Sequence, residues 1–153
     1  MKTKTPVVQE RIYNTAFKSK GRDDVVKWDV VKIKNEERVK IIFESVSSKW
    51  RQGVWLKTDK GIVVNGIHCV SVDLWVDTAP NEVECECFTK DGFLSLYNIW
   101  DSGRGYKRES LAFSSGMLID ELPNGRRYHC NDIGFETEFD KLVFRLEKTS
   151  FDG

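Results

Sequence analysis

Three stretches decide the fold: Val70-Ser71-Val72-Asp73-Leu74-Trp75-Val76-Asp77, Glu82-Val83-Glu84-Cys85-Glu86-Cys87-Phe88 and Phe93-Leu94-Ser95-Leu96-Tyr97. Apolar and polar side chains alternate through each, the period of a strand with one face buried. Thr78-Ala79-Pro80-Asn81 and Thr89-Lys90-Asp91-Gly92 separate them with turn-forming residues. The expectation is a three-strand antiparallel meander. Its core face carries Val72, Leu74, Val76, Val83, Cys85, Cys87, Leu94 and Leu96.

Working outward, strands are expected over 25–33 and 38–46, joined by the polar turn Lys34-Asn35-Glu36-Glu37. Two short strands, 54–57 and 62–64, flank Thr58-Asp59-Lys60-Gly61, which has the composition of a tight turn. Beyond the meander come a loop over 101–110, a strand near 111–113, a hairpin through Pro123-Asn124-Gly125 and a last strand over 142–146. The first 24 residues form a basic arm with an edge strand near 7–13 and a mobile loop after it, and 150–153 form a tail. Residues 25–149 are then a single domain. Its 16 Val and 9 Ile against 3 Ala favour pleated sheet over helix. Nine or ten short strands with no covering helix predict an all-β, two-sheet antiparallel sandwich of jelly-roll type.

The 24 Lys and Arg balance 24 Asp and Glu, which argues against general nucleic-acid binding. No apolar run is long enough to span a bilayer as a helix, so no membrane role is expected. Met1–Pro6 has no apolar signal-like core, and the expectation is a cytoplasmic chain with reduced thiols. The balance hides opposed blocks. Residues 1–22 carry a net +5, 73–91 a net −5 and 131–141 a net −3.

Four groups of residues carry the functional expectations. On the outer face of the meander, Asp73 falls opposite Glu86, Trp75 opposite Glu84 with Tyr97 beyond, and Asp77 opposite Glu82. Like charges so placed destabilise a sheet unless something neutralises or uses them. Carboxylates beside exposed rings suit a sugar-type ligand, and the same face suits a basic protein surface.

The loop Asn131–Asp140 places Asp132, Glu138 and Asp140 where oxygen ligands could collect calcium. Glu138-Phe139-Asp140-Lys141-Leu142-Val143-Phe144 resembles the Asp-Phe-Asp/Asn-Asp-Leu-Val-Phe signature closing certain bacterial β-sandwich domains of unknown function. The resemblance implies a sandwich fold and, as in some of those domains, a calcium ion. Glu138 stands here for Asp, and Lys141 for the second acid.

His68-Cys69, Cys85-x-Cys87 and His129-Cys130 lack zinc-knuckle spacing and read as structural thiols. Last, the glycine-rich loop with Arg104, Lys107 and Arg108 could wrap an anion through guanidinium forks and backbone amides.

The function expected from these features is a small binding protein that engages a protein partner or a small polar ligand through the acidic-aromatic face, in an inhibitory or immunity-like role. A homodimer is a further option. The alternatives are a carbohydrate-type module using Trp75 and Tyr97, and a carboxylate-dependent hydrolase drawing its acid and base from Asp73, Glu84 and Glu86.

Overall fold

The computed structural model describes residues 9–149. The expected features at 1–8 and 150–153 lie outside them. The strands are β1 (Ile12–Tyr13), β2 (Val26–Lys32), β3 (Glu37–Val46), β4 (Arg51–Val64), β5 (Ile67–Trp75), β6 (Glu82–Cys87), β7 (Phe93–Asp101), β8 (Glu109–Ser110), β9 (Gly116–Leu122), β10 (Gly125–Asn131) and β11 (Leu142–Lys148). A 3₁₀ helix, Thr15–Lys20, replaces the expected mobile loop. Asn14 starts it by accepting the Ala16 amide, and Gly21 ends it in the left-handed region.

The all-β antiparallel character holds, but the two-sheet sandwich is corrected. Neighbouring strands bond in the order β2-β9-β10-β11-β3-β6-β4-β7, and β7 pairs back to β2, so eight strands close a barrel. The other three attach to it: β1 to β2, β5 to β4 and β8 to β7. Closure satisfies edges that an open sheet would leave unpaired.

The meander is also corrected. β6 pairs with β3 and β4, β7 pairs with β4, β2 and β8, and β5 pairs with β4, so none of the three expected neighbours lies beside another. Thr58–Gly61 does not reverse the chain. It forms a bulge inside the fourteen-residue β4, with the pairing to β5 shifting between Lys57 and Ile62. The Thr58 hydroxyl closes the bulge, donating to the Gly61 carbonyl at 2.8 Å and accepting its amide at 2.9 Å. Gly61 has φ +98°, and an added Cβ would lie 2.5 Å from the His68 ring. The hairpin at Pro123–Gly125 forms as expected, whereas 111–113 is not a strand.

The interior is packed. Val54 and Leu56 of β4, Leu94 and Leu96 of β7, Val39 and Ile41 of β3, Cys85 and Cys87 of β6, and Leu142, Phe144 and Leu146 of β11 are all buried in one cluster. Each fully buried apolar side chain of this size contributes about 1.5–3 kcal/mol. A second, smaller cluster joins Phe17, Val25 and Phe139, sealing the 3₁₀ helix against the loop before β11.

A carboxylate sits among these apolar groups. Asp29 of β2 is 0% exposed and pairs in register with Leu96. Its Oδ1 accepts Arg11 Nε at 2.7 Å, and its Oδ2 accepts Arg126 Nη1 at 2.9 Å and the Tyr128 hydroxyl at 2.6 Å. Two guanidinium groups and a phenol therefore meet one buried charge, the condition under which such burial is tolerated. Burial, and then the neighbouring Asp29 charge, push the Tyr128 hydroxyl well above its usual range, so it remains a donor. The network ties β2 to β10 and holds Asp29 inward, which turns the preceding residue, Trp28, outward.

Candidate functional site

On the outer face of the barrel, the same pairings that build the interior collect aromatic rings. Trp55 of β4 is in register with Tyr97 of β7, and Trp28 of β2 lies one residue past the Asp29–Leu96 pair. Trp55 and Tyr97 stack with centroids 4.4 Å apart at 19°. Trp28 packs on both, 5.2 Å from Trp55 and 5.3 Å from Tyr97. Such pairs add about 0.5–1.5 kcal/mol beyond area burial. The patch also explains why Tyr97, on the outer side of β7, is buried as Leu94 and Leu96 are on the inner side.

Beside this patch lies a cleft of about 430 Å³. Trp28, Trp55 and Phe93 supply its apolar wall, and Gln9, Lys57, Asp59 and Ser95 its polar groups. Several of these polar groups are held in place. Gln9 donates to Asp91 at 2.7 Å and accepts the Ser95 hydroxyl at 3.1 Å. Asp59, on the β4 bulge, accepts the backbone amides of Lys90 and Asp91 at 3.1 and 3.0 Å. Burial opposes the Asp59 charge, but hydrogen bonds from Thr89, Lys90 and Asp91 outweigh it and hold the carboxyl below its usual range. Lys57 has no ion-pair partner among the described residues, and the Trp28 and Trp55 indole N–H groups have no acceptor among them. The cleft thus offers two indole rings, donors unpaired among the described residues and a fixed carboxylate, a combination suited to a small polar ring.

The residues expected to bind from sequence are distributed differently. Asp73 is opposite Trp55, not Glu86, and is gripped by Arg108 at 2.8 and 3.1 Å. Asp77 pairs with Arg51 at 2.8 Å. Glu82, Glu84 and Glu86 lie along β3, where Lys40 approaches Glu82 at 4.0 Å and Arg38 approaches Glu84 and Glu86 at 3.6 and 3.5 Å. The acidic block is therefore opposed by cations of β3, β4 and the loop before β8. Trp75 is covered by the Arg51 guanidinium, 4.2 Å from its ring centre, and Tyr97 is 7% exposed beneath Trp55. Trp28 and Trp55 take the place expected for Trp75 and Tyr97. No periodicity signals this, because tryptophan suits either face of a strand and only the pairing partners decide.

In the glycine-rich loop, Arg104 pairs with Glu109 and Arg108 with Asp73, while Lys107 stays exposed with φ +65°. The guanidinium groups expected to meet an anion are thus engaged with carboxylates of the chain.

The three expected calcium ligands are not assembled. Asp132 is 2% exposed, and its carboxylate accepts the Ser48 hydroxyl, the Gln52 side-chain amide and the Ile133 backbone amide. Glu138 and Asp140 are exposed. Among the described residues no three His, Cys, Asp or Glu side chains come together as a metal-binding group.

All four cysteines are free thiols. Burial pushes Cys85 and Cys87 up to about 12 and raises Cys130 well above its usual value. Of the histidines, His129 is 2.8 Å from Asp120 on the barrel exterior, and His68 meets the Lys60 carbonyl at 3.0 Å. No helix among the described residues is long and apolar enough to cross a membrane. No protein-family model matches the chain, and no curated protein or solved structure shows significant similarity to it.

Proposed function

We propose that this chain is a small binding protein for a polar, ring-bearing ligand of carbohydrate type, seated in the Trp28–Trp55 cleft. The observation that carries this reading is the pairing of two half-buried indoles against the tethered polar groups of Gln9, Ser95 and Asp59, with the indole N–H groups and Lys57 unpaired among the described residues. A sugar ring presents an apolar C–H face for stacking and hydroxyls that both donate and accept at its edge. Asp59 would accept from a hydroxyl and Lys57 would donate to one. The acidic strand β6 supports the protein-partner reading less well, because Arg38 and Lys40 already oppose its carboxylates.

Titrating a panel of mono- and disaccharides while following tryptophan fluorescence and heat tests the reading. Trp28→Ala and Trp55→Ala should each weaken the responding sugar by about tenfold or more, equivalent to about 1.4 kcal/mol. Trp75→Ala, outside the cleft, should weaken it far less. A folded protein that binds no member of the panel overturns the proposal, as does binding indifferent to both cleft substitutions.

A further inference from the structure

We propose that β5 is a dimerisation edge that pairs antiparallel with β5 of a second copy of this chain. Three strands attach to the closed barrel from outside, and each leaves one side unpaired among the described residues. β1 and β8 are two residues long, but β5 is nine residues long and pairs only with β4. Long open edges are normally blunted by lysine, proline, inward charges or a bulge on the edge strand. β5 reads Ile67-His68-Cys69-Val70-Ser71-Val72-Asp73-Leu74-Trp75 and contains no lysine, arginine, glutamate or proline. Its single carboxylate, Asp73, is neutralised by Arg108. Val70 is 73% exposed and Ile67 64% exposed, among the most exposed large apolar side chains of the described residues.

A second copy fits this edge better than a foreign strand. An edge stripped of unpaired charge selects an equally uncharged, β-branched strand, and the same chain supplies one. Antiparallel pairing about Ser71 sets Val70 against Val72 of the second copy, Cys69 against its Asp73 and Ile67 against its Trp75. No like charges face each other in that register. The arrangement is isologous. Each copy uses its β5 edge against the same edge of the other, so association through this strand closes at two copies and does not run on into a fibre. The β4–β5 hairpin that presents the edge turns at Asn65-Gly66, both at positive φ, as a tight two-residue turn requires.

Sedimentation equilibrium over a range of concentrations tests the proposal, with amide hydrogen exchange as a reading that needs no variant. The expected result is a reversible dimer in which the Ile67–Trp75 amides that face away from β4 gain protection as concentration rises. Val70→Lys and Ile67→Lys should each weaken dimerisation about tenfold or more by placing a charge on the edge. Circular dichroism and continued protection of the buried thiols show that each variant is folded. A protein that stays monomeric at every concentration overturns the proposal. So does a dimer that both substitutions leave intact, which would assign the interface elsewhere. A monomer that instead protects the same amides on adding an extended apolar peptide also overturns it, giving the edge to a foreign strand. None of these outcomes depends on the Trp28–Trp55 cleft.

Discussion

Tyr128→Phe removes one oxygen atom from the barrel interior and isolates the energetics of the buried carboxylate. The Tyr128 hydroxyl donates to Asp29 Oδ2 at 2.6 Å, and both residues are 0% exposed. Hydrogen bonds to a charged partner contribute about 1.5–3 kcal/mol. Asp29 keeps Arg11 at 2.7 Å and Arg126 at 2.9 Å in the variant, so no bare charge is created and the loss should stay within that range. For a chain of this length it corresponds to roughly 3–12 °C in melting temperature. Asp29→Asn should cost more, about 3–5 kcal/mol, because it leaves the partly buried Arg11 and Arg126 with only the exposed Glu121 carboxylate, at 3.7 and 3.0 Å, as counter-charge. Urea unfolding of the wild type, both single variants and the double variant measures the coupling. With Asn at position 29 the phenol faces a neutral acceptor, and Tyr128→Phe should then cost only about 0.5–1.5 kcal/mol. A single-variant loss below about 0.5 kcal/mol, or costs that simply add in the double variant, would refute the assignment of a charge-assisted bond.

Other outcomes follow from the same geometry. Native alkylation, read by mass spectrometry, should modify Cys69 alone, since Cys85, Cys87 and Cys130 are buried with raised pKa values; rapid labelling of any of these would contradict the packed interior. Glu44 is held below its usual 4.5, first by its hydrogen bond from Arg127 and then by Arg145, against the opposing effect of burial. A depressed carboxyl stabilises fully above 4.5 and loses that stability as pH falls through its lower folded value, so Glu44→Gln should flatten the acid limb of a stability–pH curve; an unchanged limb would show that the pair contributes nothing. Gly125→Ala should cost about 1–3 kcal/mol in denaturant titration, because its Cβ would lie 1.7 Å from the Leu146 carbonyl oxygen and force β10 from β11. Near-wild-type stability there would mean that this seam is not in contact.

Local alternation identified strands and faces well, because burial of one face imposes a period of two whatever lies alongside. Val83, Cys85, Cys87, Leu94 and Leu96 all lie in the core as that period requires. It carried no information about partners. β6 follows β5 after a short polar turn yet bonds β3, because closing a barrel rewards distant pairings that no local signal marks. Thr58–Gly61 shows a second limit. A hydroxyl and a left-handed glycine close a tight loop equally well where the chain reverses and where a strand bulges and continues. At the cleft, the difficulty lay in a reversed polarity. Asp29 points inward and Trp28 outward, and the arginines that make this tolerable come from the N-terminal segment and from β10. The acidic block was visible as charge, but its neutralisation by Arg38, Lys40, Arg51 and Arg108 depends on tertiary neighbours.

The β3–β11 seam bears on how the molecule reaches its native state during synthesis. Residues 39–46 of β3 hydrogen-bond with residues 142–148, and β2 meets β7 and β9, so early strands complete their ladders only with late ones. Loop closure between such distant segments must precede the contacts that reward it, which makes folding slow relative to helical chains of this size. A nascent chain lacking β11 would carry Val39, Ile41 and Phe43 on a strand with one side unpaired. Chaperone occupancy on the new chain should therefore persist until 142–148 are clear of the ribosome, and then fall in a single step.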